Sequence, residues 1–163
     1  MGDFTTLSLD LGSTLGYALA KNGVIIDSGE VTLSCKDTHP GHRWLKFQNW
    51  LFQYKYVDEV LFEDVVAPFM SAQAARVYCG LLAVLQIFCL GHGIRMASLK
   101  PTQIKKDFTG AGNSKKDVMC EVAMTLGWKN GVPGTMNLNN ECDAIALFWV
   151  VSTRRGVQPS FKS

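Results

Sequence analysis

The order of strand-forming and helix-forming segments constrains the fold of this 163-residue chain more than any other feature. Three apolar, alternating segments come first and are predicted as strands, at residues 4–11, 15–20 and 24–33. Lys21-Asn22-Gly23 is typical of a tight hairpin, which makes these strands antiparallel. Two further strands, at 57–63 and 94–99, then alternate with predicted helices at 42–55, from Ser71, from a cap at Ser114 to about Leu126, and at 140–153.

This order predicts an α/β fold with a five-stranded mixed sheet, three antiparallel strands followed by two parallel strands, and helices on both faces. A hydrophobic content of 47% is enough for one sizeable core. Because the chain shows no linker or internal repeat, residues 1–155 are expected to form a single domain. Residues 100–113 are read as a basic, glycine-punctuated segment, and residues 156–163 as a disordered tail.

Two predicted strands end on a carboxylate, and a third acidic segment opens the last predicted helix. Asp10 closes LSLD, Glu63 closes VLFE, and Glu141 and Asp143 stand in NNECDAIAL. Carboxyl ends of neighbouring parallel strands meet at one edge of a sheet, where α/β proteins place their active crevice. Carboxylate oxygens bind hard divalent cations, and a pair of such ions can stabilise both reacting oxygens of a phosphodiester. These four residues are therefore the candidate catalytic residues and metal ligands.

Each of the four also has an ordinary structural explanation. Asp10 stands ahead of a glycine and can bond its own backbone in a turn. Glu63 belongs to a Glu-Asp pair, which at a strand end is commonly solvated. Glu141 and Asp143 suit the first turn of a helix, where negative charge is favourable. The location of all of them at element ends, beside apolar segments, favours a shared site.

Positive charge is concentrated in one part of the chain, although the formal net charge is only +2. Six of the 16 basic residues lie between Arg95 and Lys116, a tract that can contact phosphates or form a solvated loop. Gly12 and Ser13 turn the chain after the first strand without crowding a phosphate. Phe69 can stack on an unpaired base or pack onto the following helix. The residues assigned to nucleic-acid binding are Lys100, Lys105, Lys115, Lys116, Ser13 and Phe69.

The five cysteines are widely spaced and form no CxxC pair, which favours a reducing cytoplasm over a disulfide framework. The first residues, MGDFTTL, lack the basic region of a signal peptide, and no run reaches the ~18 apolar residues of a membrane span. We expect a soluble cytoplasmic protein without a membrane partner.

Four segments together resemble RuvC-type Holliday junction resolvases of the ribonuclease H-like superfamily, particularly the phage-encoded branch: LSLDLGSTLGYA, VLFEDV, PTQIKKDFTGAGNSKKDVM and NECDAIAL. The likeness extends over most of residues 6–150. The matching positions are the acidic strand end with Gly-Ser (Asp10, Gly12, Ser13), the second carboxylate (Glu63), the Lys, Gly-x-Gly, Lys series (Lys105, Gly110, Gly112, Lys116) and the Asp-Ala pair (Asp143, Ala144).

The resemblance implies a metal-dependent endonuclease that resolves four-way DNA junctions by paired symmetric hydrolysis. It implies two Mg²⁺ or Mn²⁺ ions per site, with Asp10 bridging them, and a location in a bacterial cell or a phage-infected host cell. Symmetric cutting of a four-armed substrate needs two active sites, hence a homodimer. The apolar segment AARVYCGLLAVLQIFCL is either its interface or a core helix.

Two positions depart from the family pattern. The family often has proline after the first aspartate, where this chain has Leu11, and the second departure leaves the fourth ligand open. The family commonly has a carboxylate or histidine three residues before the final aspartate, where this chain has Asn140. On a regular helix, position 141 points about 200° away from position 143. Either Glu141 precedes the regular helix and turns inward, or Asn140 is a neutral ligand. We assign Glu141.

Other functions fit parts of the sequence. DLGSTLGYA also resembles the phosphate-binding hairpin of actin, Hsp70 and sugar kinases, but those proteins need roughly twice this length. A related ribonuclease H-like nuclease acting on branched or flap DNA, or on RNA, would share the fold and metal site. Asn140 is the one feature that suggests a catalytically inactive junction-binding protein.

Overall fold

The fold was examined in a computed structural model, which describes residues 2–34, 39, 41–65, 71–130 and 139–162. The strands are β1 (Thr5–Asp10), β2 (Thr14–Lys21), β3 (Val24–Thr32), β4 (Glu59–Glu63), β5 (Arg95–Leu99) and β6 (Ser160–Phe161). The helices are α1 (His42–Leu51), α2 (Ala72–His92), α3 (Pro101–Thr109), α4 (Lys116–Thr125) and α5 (Asn139–Arg154), with a 3₁₀ helix at Phe52–Tyr54.

The strands form one mixed sheet in the order β5-β4-β1-β2-β3-β6. β1, β2 and β3 are antiparallel neighbours, and β4 and β5 run parallel to β1, as the sequence predicts. The sixth strand corrects the expectation of a disordered tail. Ser160 and Phe161 pair in parallel with β3, and the Phe161 ring stands 5.8 Å from that of Trp149. Backbone hydrogen bonds and aromatic packing thus order this segment.

The β2–β3 hairpin contains a bulge that changes which side chains face α5. Asn22 and Gly23 both have positive φ, which the tight turn requires. The register then shifts, because Ile26 has no partner in β2. Beyond this extra residue, Glu30 pairs with Gly16. Helix α5 lies over this pair.

Helices cover both faces of the sheet, as predicted. Residues of α1 and α2 pack with Leu7, Leu9 and Val60 on one face. Residues of α3, α4 and α5 pack on the other face, where the strands present small side chains such as Ser8 and Ala18. The small residues let α5 approach the sheet closely. This approach brings the start of α5 to the carboxyl ends of β1 and β4.

Helix α2 is capped at both ends and has an unexpected length of apolar sequence. Ser71 Oγ accepts a hydrogen bond from Ala74 N, and Gly93 ends the helix with φ 68°. By length and composition alone, this 21-residue helix could cross a membrane, contrary to the expectation that no segment is long enough. The same test is passed by core helices of soluble proteins, and Leu81 and Leu85 of α2 are fully buried.

The basic segment after β5 is more regular than its sequence suggests. It contains α3, with Pro101 at its first position and Gly110 in the left-handed conformation at its end. Glycine is therefore favoured at position 110 because the residue that ends α3 adopts the left-handed conformation. Ser114 does not cap α4, since its hydroxyl donates to Ala111 O over 2.7 Å. The helix begins at Lys116 instead.

Candidate active site

Parallel pairing of β1 with β4 brings the two strand-end carboxylates side by side. Leu9 pairs with Phe62, so Asp10 and Glu63 come next in register at the same edge of the sheet. Side chains alternate along a strand, and the alternation places both residues on the face covered by α5. Asp143 lies one turn into α5 above this edge.

Burial, together with nearby negative charge, disfavours the ionised forms of the three carboxyl groups. Burial, followed by the charge of Asp143, raises the pKa of Asp10 to about 7. Burial and the charges of Asp10 and Asp143 raise the pKa of Glu63 well above its usual range. Burial also raises the pKa of Asp143, despite opposing lysine charges. Because the charge of Asp143 acts on both Asp10 and Glu63, the three carboxyl groups share one electrostatic site.

Lys116 supplies positive charge to this site. Its Nζ lies 3.1 Å from Asp143 Oδ2, and the Asp143 side chain is only 13% exposed. Burial alone would lower the pKa of Lys116, but the nearby carboxylates, Asp143 first, together raise it. Lys105 on α3 also acts here, because its charge lowers the pKa values of Glu63 and Asp143. The two lysines only partly offset burial and negative charge, since all three carboxyl pKa values remain raised.

The chemistry of these donors suits a hard divalent cation. Asp10, Glu63 and Asp143 offer oxygen ligands only, and a doubly charged ion would offset the burial and the nearby negative charges that raise their pKa values. Within the described residues, no three acidic, histidine or cysteine side chains are already arranged as a metal-ligand set. A cation held by all three carboxylates would therefore need these side chains to approach one another more closely.

Glu141 does not join these carboxylates, and the prediction that it turns inward is wrong. It is 1% exposed, and α5 is already regular at this position, so its side chain points away from that of Asp143. Its Oε1 accepts three hydrogen bonds, from Ser28 Oγ at 2.7 Å and from Trp128 Nε1 and Asn130 Nδ2 at 2.9 Å. Glu141 thus ties α5 to β3 and to the segment after α4.

Glu30 is a carboxylate at this edge that sequence reasoning missed. Its Oε1 accepts hydrogen bonds from Asn140 N at 2.9 Å and Glu141 N at 3.4 Å. Its charge is a smaller cause of the raised pKa values of Asp10 and Asp143. The sequence shows that Glu30 lies on the third predicted strand, but the strand alone does not show which face its side chain takes. The bulge in the β2–β3 pairing sets that face, because it places Glu30 opposite Gly16.

Tyr78 of α2 supports the strand end that carries Glu63. Its hydroxyl donates to Glu63 O over 2.7 Å and accepts from Val65 N over 3.2 Å. The ring is buried among the side chains that pack between α2 and the sheet. This pair of hydrogen bonds fixes the backbone where the chain leaves β4.

The residues assigned to nucleic-acid binding border the carboxylates to different degrees. Lys100 follows β5 directly and is exposed, as is Lys115, the residue before α4. Ser13 is exposed in the turn after Asp10, with its carbonyl accepting from Leu33 N over 2.7 Å. Lys105 and Lys116 are the two whose charges reach the carboxylates, and Phe69 lies outside the described residues.

Sheet order and helix placement define a ribonuclease H-like α/β fold. RuvC of Thermus thermophilus matches with a TM-score of 0.72 and 14% identity, over 94% of this chain and 98% of that chain. The T. thermophilus RuvC in complex with Holliday junction substrate matches with a TM-score of 0.71 and 17% identity, over 94% and 96%. The yeast mitochondrial Holliday junction resolvase Ydc2 matches with a TM-score of 0.65 and 14% identity, over 92% and 80%.

At these identities the likeness establishes the fold. The sequence itself matches no protein-family model and no curated protein.

Proposed function

We propose that this chain is a metal-dependent endonuclease that resolves four-way DNA junctions by paired symmetric phosphodiester hydrolysis. The observation that carries the proposal is the cluster of Asp10, Glu63 and Asp143 at the carboxyl ends of β1 and β4, with Lys116 beside it. The solved structures that share this fold over 80–98% of their length include Holliday junction resolvases. Assignment to the phage-encoded branch stays a prediction from the sequence.

In this proposal Asp10, Glu63 and Asp143 hold two Mg²⁺ or Mn²⁺ ions. When bound, these ions supply the positive charge that stabilises the attacking and leaving oxygens of a phosphodiester. The chain's own residues set the geometry, since two carboxylates stand on a rigid sheet and the third on a buried helix. Lys116 pairs with Asp143 over 3.1 Å, and it would be available to contact the DNA backbone if a cation took over the charge of Asp143.

The lysines around the carboxylates would bind the DNA backbone. Lys100, Lys105 and Lys115 lie on α3 or next to α3 and α4, the two short helices beside the site. Phosphate contacts of this kind position the substrate without reading its sequence. Ser13, exposed in the turn after Asp10, lies where a phosphate near the carboxylates can be contacted.

We further propose that the active form is a homodimer that associates through the apolar outer face of α2. Ile87 is 70% and Leu90 is 86% exposed on this face. The exposed ring of Phe52 lies 6.0 Å from that of His92, which extends the apolar surface beyond the helix. Leu90→Glu should dissociate the dimer in sedimentation velocity, whereas an unchanged mass would exclude this interface.

The test of the nuclease uses labelled four-way junction, linear duplex, flap DNA and RNA, each with Mg²⁺, Mn²⁺ or chelator. Asp10→Asn removes a proposed ligand, and Glu121→Gln is the matched control at an exposed carboxylate of α4. We expect paired symmetric nicks near the junction from the wild type and from the Glu121 variant, and none from the Asp10 variant.

Two results would contradict this expectation. Tight junction binding without cutting would favour the inactive junction-binding protein suggested by Asn140. Cutting of flaps or RNA, and not of junctions, would retain the metal chemistry and exclude the proposed substrate.

A further inference from the structure

We propose that Glu30 is a positioning residue, which sets Asp143 over Asp10 and Glu63 by holding the first turn of α5. This inference rests on the proposed function, because the placement of Asp143 matters to catalysis only if these carboxylates form the active site. Glu30 stands on β3, and 110 residues separate it from its first partner, Asn140. The connection is therefore a property of the fold and not of the helix itself.

The first N–H groups of any α-helix lack partners within the helix. In α5, Glu30 Oε1 accepts from two of them, Asn140 N and Glu141 N. Side-chain oxygens that accept such bonds commonly come from the residue just before the helix. Here the acceptor comes from the sheet, and its negative charge also suits the positive end of the helix dipole.

The start of α5 lies close against the sheet beside this acceptor. A Cβ atom at Gly16 would lie 1.8 Å from Asn140 O, so the start of α5 rests directly on the β2 backbone. Gly16 pairs with Asp10 on one side and with Glu30 on the other. The start of α5 thus lies over Gly16, between Asp10 of the site and Glu30, which holds the helix.

Asp143 lies three residues after Asn140 and two after Glu141, whose N–H groups Glu30 holds. A rise of about 1.5 Å and a rotation of about 100° per residue fix its direction once that turn is fixed. If the turn frays, Asp143 loses its defined distance from Asp10 and Glu63. Ser28, which donates to Glu141 from the same strand, adds a second attachment but does not bind the backbone of the turn.

Two conservative variants separate the reach of Glu30 from its charge. Glu30→Gln keeps an acceptor oxygen at the same distance from the backbone and removes the charge. Glu30→Asp keeps the charge and shortens the side chain by one methylene, so that the acceptor no longer reaches α5. The same two replacements at exposed Glu121 are matched controls.

Amide exchange of Asn140 and Glu141 is measured by NMR in metal-free protein, and Mn²⁺ affinity by titration with the metal alone. Glu30→Asp should speed exchange at both amides by at least about fivefold. It should weaken Mn²⁺ binding and junction cleavage by about tenfold or more. Glu30→Gln should stay within about twofold of wild type in all three measurements, since it preserves the acceptor.

Unchanged exchange in Glu30→Asp, or a larger loss of Mn²⁺ affinity in Glu30→Gln than in Glu30→Asp, would overturn the positioning role. The proposed function fails separately. Suppose that the wild type cuts no branched DNA, and that Glu30→Asp, unlike Glu30→Gln, shows faster amide exchange and weaker Mn²⁺ binding. The positioning role of Glu30 is then supported, and the proposed substrate is wrong. If the wild type and both variants cut junctions equally, the nuclease stands and the positioning role is excluded.

Discussion

Replacing Asp10 with asparagine should stabilise the metal-free protein at alkaline pH while removing its activity. Asp10 is ionised in the unfolded chain at pH 8, but in the folded protein its ionised form is disfavoured by burial and by Asp143. Asparagine has nearly the same shape and carries no charge. The substitution therefore relieves an unfavourable interaction that Lys116 offsets only in part.

The magnitude follows from linkage between protonation and folding. A rise in pKa from 3.8 to about 7 corresponds to about 4 kcal/mol at about 1.4 kcal/mol per unit. Below about pH 4 both states carry the proton and the penalty is absent. Between about pH 4 and 7 the unfolded state loses its proton first, so the free energy of unfolding of the wild type falls as pH rises. Burying the amide offsets about 1–2 kcal/mol, which leaves a net gain of about 2–3 kcal/mol for Asp10→Asn at pH 8.

Urea unfolding with chelator, at pH 4 and at pH 8, measures this gain. Glu121→Gln controls for loss of a surface carboxylate and should change stability little at either pH. Added Mn²⁺ should stabilise the wild type more than Asp10→Asn. The reasoning is refuted if Asp10→Asn is no more stable than wild type at pH 8, or if its advantage is as large at pH 4.

Three further substitutions test parts of the site and its support. Ser8 Oγ is buried without a hydrogen-bond partner in the described part of the chain, so Ser8→Ala should leave the free energy of unfolding unchanged or raise it by about 1 kcal/mol in urea. Tyr78→Phe should lower the free energy of unfolding by about 1–2 kcal/mol, because Glu63 O and Val65 N lose a shared partner. Glu141→Gln should retain junction cleavage within about tenfold, since the amide oxygen can replace Oε1. Residues that support metal ligands typically cost 10- to 100-fold when replaced, so a larger loss of cleavage would indicate that Glu141 is a metal ligand after all.

Alternation and strand order were sufficient to predict the sheet and two of its carboxylates. LSLD and VLFE each place an acidic residue after a buried strand, and the parallel pairing of β1 and β4 follows from the crossover between them. Local pattern was less informative for the tail. Residues 160 and 161 become a strand only because β3 offers an open edge and Trp149 offers an aromatic partner.

The fourth acidic position shows the limit of helix periodicity. Sequence spacing indicated that Glu141 and Asp143 diverge, but the hydrogen-bonding partners that draw Glu141 away come from distant segments. Ser28 lies on β3, and Trp128 and Asn130 follow α4. No local signal in NNECDAIAL specifies those partners, so the choice between an inward and an outward Glu141 could not be made from that segment.

A single extra residue in β3 explains why Glu30 was missed. A regular two-residue hairpin at Asn22-Gly23 would continue the pairing of Ala20 with Ile25 and place Gly29 opposite Gly16. Side chains alternate, so that register would direct both Ser28 and Glu30 to the α1–α2 face. The bulge reverses the alternation beyond Ile26 and turns both residues towards α5. The two side chains that hold the first turn of α5 therefore depend on the same irregularity, which links the hairpin to the placement of Asp143.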